Sequence, residues 1–104
     1  MSRVFQGFPV ITQTGVVVTT SGSSQTATLP LTSSGKVPAY IRIATTAACC
    51  WRLFPAAGGS AALTDTQITP GGDNIFGVPD GMTKISVIQT AATGAFQVSP
   101  LENS

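Results

Sequence analysis

The chain has no histidine, and only 9% of its 104 residues are charged, against about 25% in an ordinary globular protein. Without histidine, Ser–His and Cys–His nucleophilic pairs are impossible, as are the His-containing metal sites usual for zinc and non-haem iron. A formal net charge of +1 draws the chain neither to nucleic acid nor to an anionic membrane. No apolar run approaches the roughly 20 residues of a membrane-spanning helix. The first dozen residues, interrupted by Gln6, Gly7 and Pro9, do not read as a secretory leader. The two cysteines, Cys49 and Cys50, are neighbours, so in a strand they point to opposite faces and make no disulfide framework. Cys49 is expected to be a small buried hydrophobe and Cys50 a free thiol near the surface, as suits a reducing cytoplasm.

Acids are equally scarce: Asp65, Asp73, Asp80 and Glu102. Asp65 and Asp73 could in principle form a glycosidase pair, but Asp73 and Asp80 sit in turn sequences, where aspartate bonds the backbone. Glycine pairs at 58–59 and 71–72 have no helix behind them to cradle a phosphate. Cys49-Cys50 lacks the partners and spacing of a metal pair. No catalytic residue, cofactor or metal ligand is therefore assigned, and the chain reads as non-enzymatic.

What it does hold is 15 Thr, 10 Ser and 12 Ala, giving a surface of hydroxyls and small apolar groups poorly defended against association. Short β-branched or alternating runs recur between Gly, Pro and Ser turns every 8–12 residues or so. The strand-like runs are Val16–Thr20, Thr26–Thr32 (demoted to an edge or bulge by Pro30), Tyr40–Ala44, Cys49–Phe54, Thr64–Thr69, Ile75–Val78, Lys84–Gln89 and Ala95–Ser99. Residues 56–62, Ala-Ala-Gly-Gly-Ser-Ala-Ala, read as a flexible loop, and Pro100–Ser104 as a tail. No window shows helical periodicity. The prediction is an all-β chain: a small antiparallel β-sandwich, jelly-roll-like, of seven to nine short strands. Residues 1–14 are expected to form an N-terminal arm or edge strand, and 15–104 a single sandwich domain.

The organising stretch is 38–55. It reads as a hairpin that places Ile41, Ile43, Trp51 and Leu53 on one core face, with Arg42 and Arg52 outside as cross-strand neighbours. Trp51, the only tryptophan, is the largest single burial available. Arg42 and Arg52 either contact an acidic patch on a partner or stand splayed apart in solvent, and Tyr40, on the same face as Arg42, is a candidate interface residue. Phe5 and Phe8 would be wasted on a loose end, so the segment around Arg3, Phe5 and Phe8 is expected to be docked.

The run Ala39-Tyr40-Ile41-Arg42-Ile43-Ala44, the strand around Trp51-Arg52-Leu53, the Pro-Gly-Gly and Val78-Pro79-Asp80-Gly81 turns and the closing Phe96–Glu102 together resemble small tailed-bacteriophage virion proteins. Among those, the resemblance is to head decoration (cement) proteins. It covers about two thirds of the chain and excludes residues 1–30. It implies a structural virion protein, assembled in the host cytoplasm, that bridges neighbouring subunits of the major capsid protein. It also implies a homo-oligomer, with a trimer favoured. In such a trimer the Val4–Ile11 arm and the Phe54 face are the candidate contacts. The alternatives are a carbohydrate- or receptor-binding sandwich, presenting Tyr40, Trp51 or Phe54, and a minor tail or baseplate component.

Overall fold

A computed structural model describes residues 9–11, 13–71 and 74–103. The strands are β1 (Pro9–Val10), β2 (Val16–Thr19), β3 (Gln25–Thr28), β4 (Tyr40–Thr45), β5 (Cys49–Pro55), β6 (Thr66–Ile68), β7 (Asn74–Gly77), β8 (Met82–Gln89) and β9 (Ala95–Asn103). All pairings are antiparallel, and they build two sheets. Sheet I runs β9–β4–β7, with β1 and β2 both lying along the far edge of β9; sheet II runs β3–β8–β5–β6. From β2 onward only the β5–β6 step stays within one sheet, and every other step crosses the sandwich. That alternation is the winding of a jelly roll.

Period-two alternation puts one face of each strand into a shared core. Ile41, Ile43, Phe96 and Val98 of sheet I meet Cys49, Trp51, Ile68, Ile85 and Val87 of sheet II, and Leu29 joins them. The Trp51 and Phe76 rings meet edge to face at 4.8 Å, a favoured aromatic geometry. Among the described residues two buried side-chain polar atoms, Trp51 Nε1 and Thr83 Oγ1, have no hydrogen-bond partner.

The all-β reading holds, but β4 and β5 do not form a hairpin. They lie in different sheets, β4 between β9 and β7 and β5 between β8 and β6. The 46–48 link is an arch in which Thr45 Oγ1 donates to the Ala47 carbonyl at 2.6 Å. Ile41, Ile43 and Trp51 are all core residues, but they face one another across the sandwich instead of sharing a sheet, and Leu53 is half-buried. Arg42 and Arg52 consequently emerge on opposite sides of the molecule.

The closing residues also differ from the expected tail. Strand β9 continues through Pro100 to Asn103. Its outer edge pairs with β2 over 95–98 and with β1 at 102–103. Pro100 falls in the interval between them, where a missing N–H costs the ladder nothing. Likewise β3 stops at Thr28, before Leu29-Pro30, and forms the edge of sheet II.

Candidate interaction surface

Because each sheet has one face in the core, its other face is turned outward. The two outer faces differ. On sheet I the outward residues are Tyr40, Arg42 and Ala44 of β4, flanked by Ile75 and Gly77 of β7 and by Gln97, Ser99 and Leu101 of β9, of which Ser99 and Leu101 are buried. Val17 on β2 stands beside Gln97. Val17 is 59% exposed and Ile75 50%, so two β-branched apolar side chains lie open on one sheet. Val17, Ala44, Thr45, Thr46, Ala95 and Gln97 line a shallow depression of about 200 Å³ on this face.

The rim of that depression is held firmly. The Gly94 amide donates to Thr20 Oγ1 and the Ala95 amide to Thr46 Oγ1, both at 2.8 Å. The Thr20 amide donates back to the Gly94 carbonyl at 2.9 Å. A Cβ on Gly94 would sit 2.7 Å from both Ala47 Cβ and Thr46 Oγ1, so only glycine lets this turn close on the β4–β5 arch. At the opposite end, Ala39, Tyr40, Gly77, Val78 and Pro79 line an open groove on the same side.

Sheet II is partly covered. The segment after β5 folds back over the outer side of β5, β8 and β3, turns its own Ala61 inward and buries Cys50, Phe54 and Ser86 beneath it. This corrects two expectations. Residues 56–62 are a packed strap, and Cys50 is a buried thiol, 3% exposed, because the strap lies on it. Both cysteines are free. Cys49, on the core side, has its thiol pushed up from the ordinary 9.0, chiefly by burial; a hydrogen bond with Thr45 opposes this and the neighbouring Cys50 adds to it.

The structure does not gather the predicted contact residues into one patch. Tyr40 and Arg42 share the open face of sheet I, both half-buried and both engaged in interactions. Arg52 lies on the far side, with Nη1 3.6 Å from Asp65 Oδ1 and its guanidinium 4.8 Å over the Phe54 ring. Phe54 is only 7% exposed, because the strap and Arg52 cover it, so it offers no contact face. Arg3, Phe5 and Phe8, like Asp73, lie outside the described residues. Asp65 accepts from the Ala62 amide at 2.8 Å, a loop-capping role. Among the described residues no three His, Cys, Asp or Glu side chains could together hold a metal. Among the described residues no helix is long and apolar enough to cross a membrane.

The residues missed in the sequence are Val17 and Ile75. Three successive valines at 16–18 were a signal for Val17, since a strand apolar at consecutive positions has both faces apolar. Comparison with protein-family models, with curated proteins and with solved structures finds no match.

Proposed function

We propose that this chain is a non-enzymatic structural component of a phage particle, a decoration protein that binds across neighbouring coat subunits through the open face of sheet I. One observation carries the reading. The chain's own strap covers Cys50, Phe54 and Ser86 on the outer face of sheet II, whereas the outer face of sheet I, on which Ser99 and Leu101 are buried, leaves Val17 and Ile75 exposed. A broad, shallow face of this kind suits many weak contacts repeated over a lattice, where avidity makes high affinity at any one site unnecessary. A trimer of the chain would present three such faces at once.

The test is co-sedimentation with expanded capsids and with unassembled coat protein, alongside sedimentation velocity of the free chain. The expected result is an oligomer that binds the expanded shell and ignores free coat subunits. Val17→Lys with Ile75→Lys should abolish shell binding and leave the thermal transition in place, because both side chains point away from the core. A strict monomer at high concentration that pellets with neither would overturn the proposal. A glycan-binding reading is less well supported, since Trp51 and Phe54 are 6% and 7% exposed and leave Tyr40 as the one partly open member of its aromatic trio.

A further inference from the structure

The strap is gripped by its main chain. Ser86 Oγ, on a wholly buried residue of β8, accepts the Ala61 amide at 2.9 Å. Thr26 Oγ1 of β3 donates to the Gly59 carbonyl at 3.2 Å. Cys50 Sγ of β5 donates to the Leu63 carbonyl at 3.6 Å. Gly59 lies flat against Phe54, and a Cβ there would drive into the ring. The two ends are also defined. Upstream, the register shifts between Phe54 and Pro55, and Gly58 turns at φ +81° with its amide donating to the Pro55 carbonyl at 2.7 Å. Downstream, Asp65 ties the Ala62 amide and Arg52 together.

We propose that residues 56–65 form a latch that lifts from sheet II as one unit, and that this lifting, rather than unfolding of the sandwich, admits solvent and reagents to the Cys50 thiol. The three hydrogen bonds join sheet side chains to strap backbone and the Arg52–Asp65 pair joins side chains, so none of the β5–β8 or β5–β6 ladder depends on the strap being closed. The core side chains lie on the other side of sheet II and keep their contacts. An Ala/Gly/Ser segment also regains much conformational freedom on release. These are the properties of a locally opening unit. Cys49 supplies the internal comparison. It faces the core, is wholly buried, lies 3.6 Å from Thr45 Oγ1, and is reached only by opening the sandwich itself.

The test is reaction with an aromatic disulfide reagent, 5,5′-dithiobis(2-nitrobenzoate). The protein thiolate attacks the disulfide, forms a mixed disulfide and releases one nitrothiobenzoate, while the thiol proton goes to solvent. Cys50 in the Cys49→Ala variant should react at least about tenfold faster than Cys49 in the Cys50→Ala variant. Adding Gly59→Ala should accelerate Cys50 by a further factor of about ten or more and leave Cys49 unchanged. The unaltered chain gives a second reading by amide hydrogen exchange. Ala61 and Ala62 should exchange well ahead of Trp51 and Val87, with a weaker urea dependence. If both thiols react at one rate, or if the Ala61 amide exchanges in step with Trp51 and Val87, the strap opens only with the whole sandwich and the proposal is wrong.

Discussion

Replacing Thr83 by valine should make this protein more stable, although it removes a hydroxyl from the interior. Thr83 lies on the inward side of β8, and its Oγ1 is buried without a partner. A hydroxyl taken from water into such a place costs about 1–3 kcal/mol, the range found in protein mutational data. Valine has nearly the same shape and is equally suited to a strand. The substitution leaves the Thr83 carbonyl, which accepts the Leu29 amide at 2.9 Å, untouched. The expected gain is about 1 kcal/mol or somewhat more. With an unfolding entropy near 2.1 cal/mol/K per residue, each kcal/mol moves the Tm of a chain of this length by about 4–5 °C. Calorimetry should therefore show a rise of roughly 5 °C, and urea unfolding a higher midpoint with an unchanged slope. A Tm that is level or lower would mean that the hydroxyl is satisfied in solution and that the reasoning fails.

Other outcomes follow from the same geometry. Ile43→Ala, at a wholly buried position in β4, should cost about 2–5 kcal/mol. Ile75→Ala, on the outer side of the neighbouring strand, should stay within about 0.5 kcal/mol; equal losses in urea melts would contradict the assigned faces. Ser86→Ala leaves the Ala61 amide without its acceptor in a buried place. It should cost about 1–3 kcal/mol and speed Ala61 exchange, whereas an unchanged exchange rate would remove Ser86 from the latch. Because burial raises the Cys49 thiol in the folded chain, the unfolded chain loses that proton first. Stability should be level below the ordinary thiol value of 9.0 and fall as pH climbs from there to the raised folded value. Cys49→Val should flatten this alkaline slope in melts across that window.

Alternation along each strand was readable because it depends only on neighbours two residues apart. It gave Ile41, Ile43, Trp51, Ile85, Val87, Phe96 and Val98 their inward faces correctly. It carries no information about which sheet a strand joins. The link after Tyr40–Thr45 is short enough for a hairpin, and nothing local distinguishes a hairpin from an arch, although it lacks the Asn-Gly or Asp-Gly pair that a tight hairpin favours. The cover on sheet II left a trace that period-two reading discards. Cys50 and Phe54 are apolar on the outward side of β5, and a glycine-rich segment follows directly. Small residues look like looseness in a sequence, yet here their size is what lets backbone lie against the Phe54 ring. The candidate contact residues were hardest to place, since Arg42 and Arg52 are separated by a crossover that only tertiary pairing reveals.

The most direct measurement is an electron cryo-microscopy reconstruction of expanded phage capsids incubated with this protein, at a resolution that orients a β-sandwich. The account predicts density for the chain on the outer shell, with the β2–β9–β4–β7 sheet against coat subunits and the strap facing solvent. Density with the strap against the shell, or particles that lack the chain altogether, would contradict it.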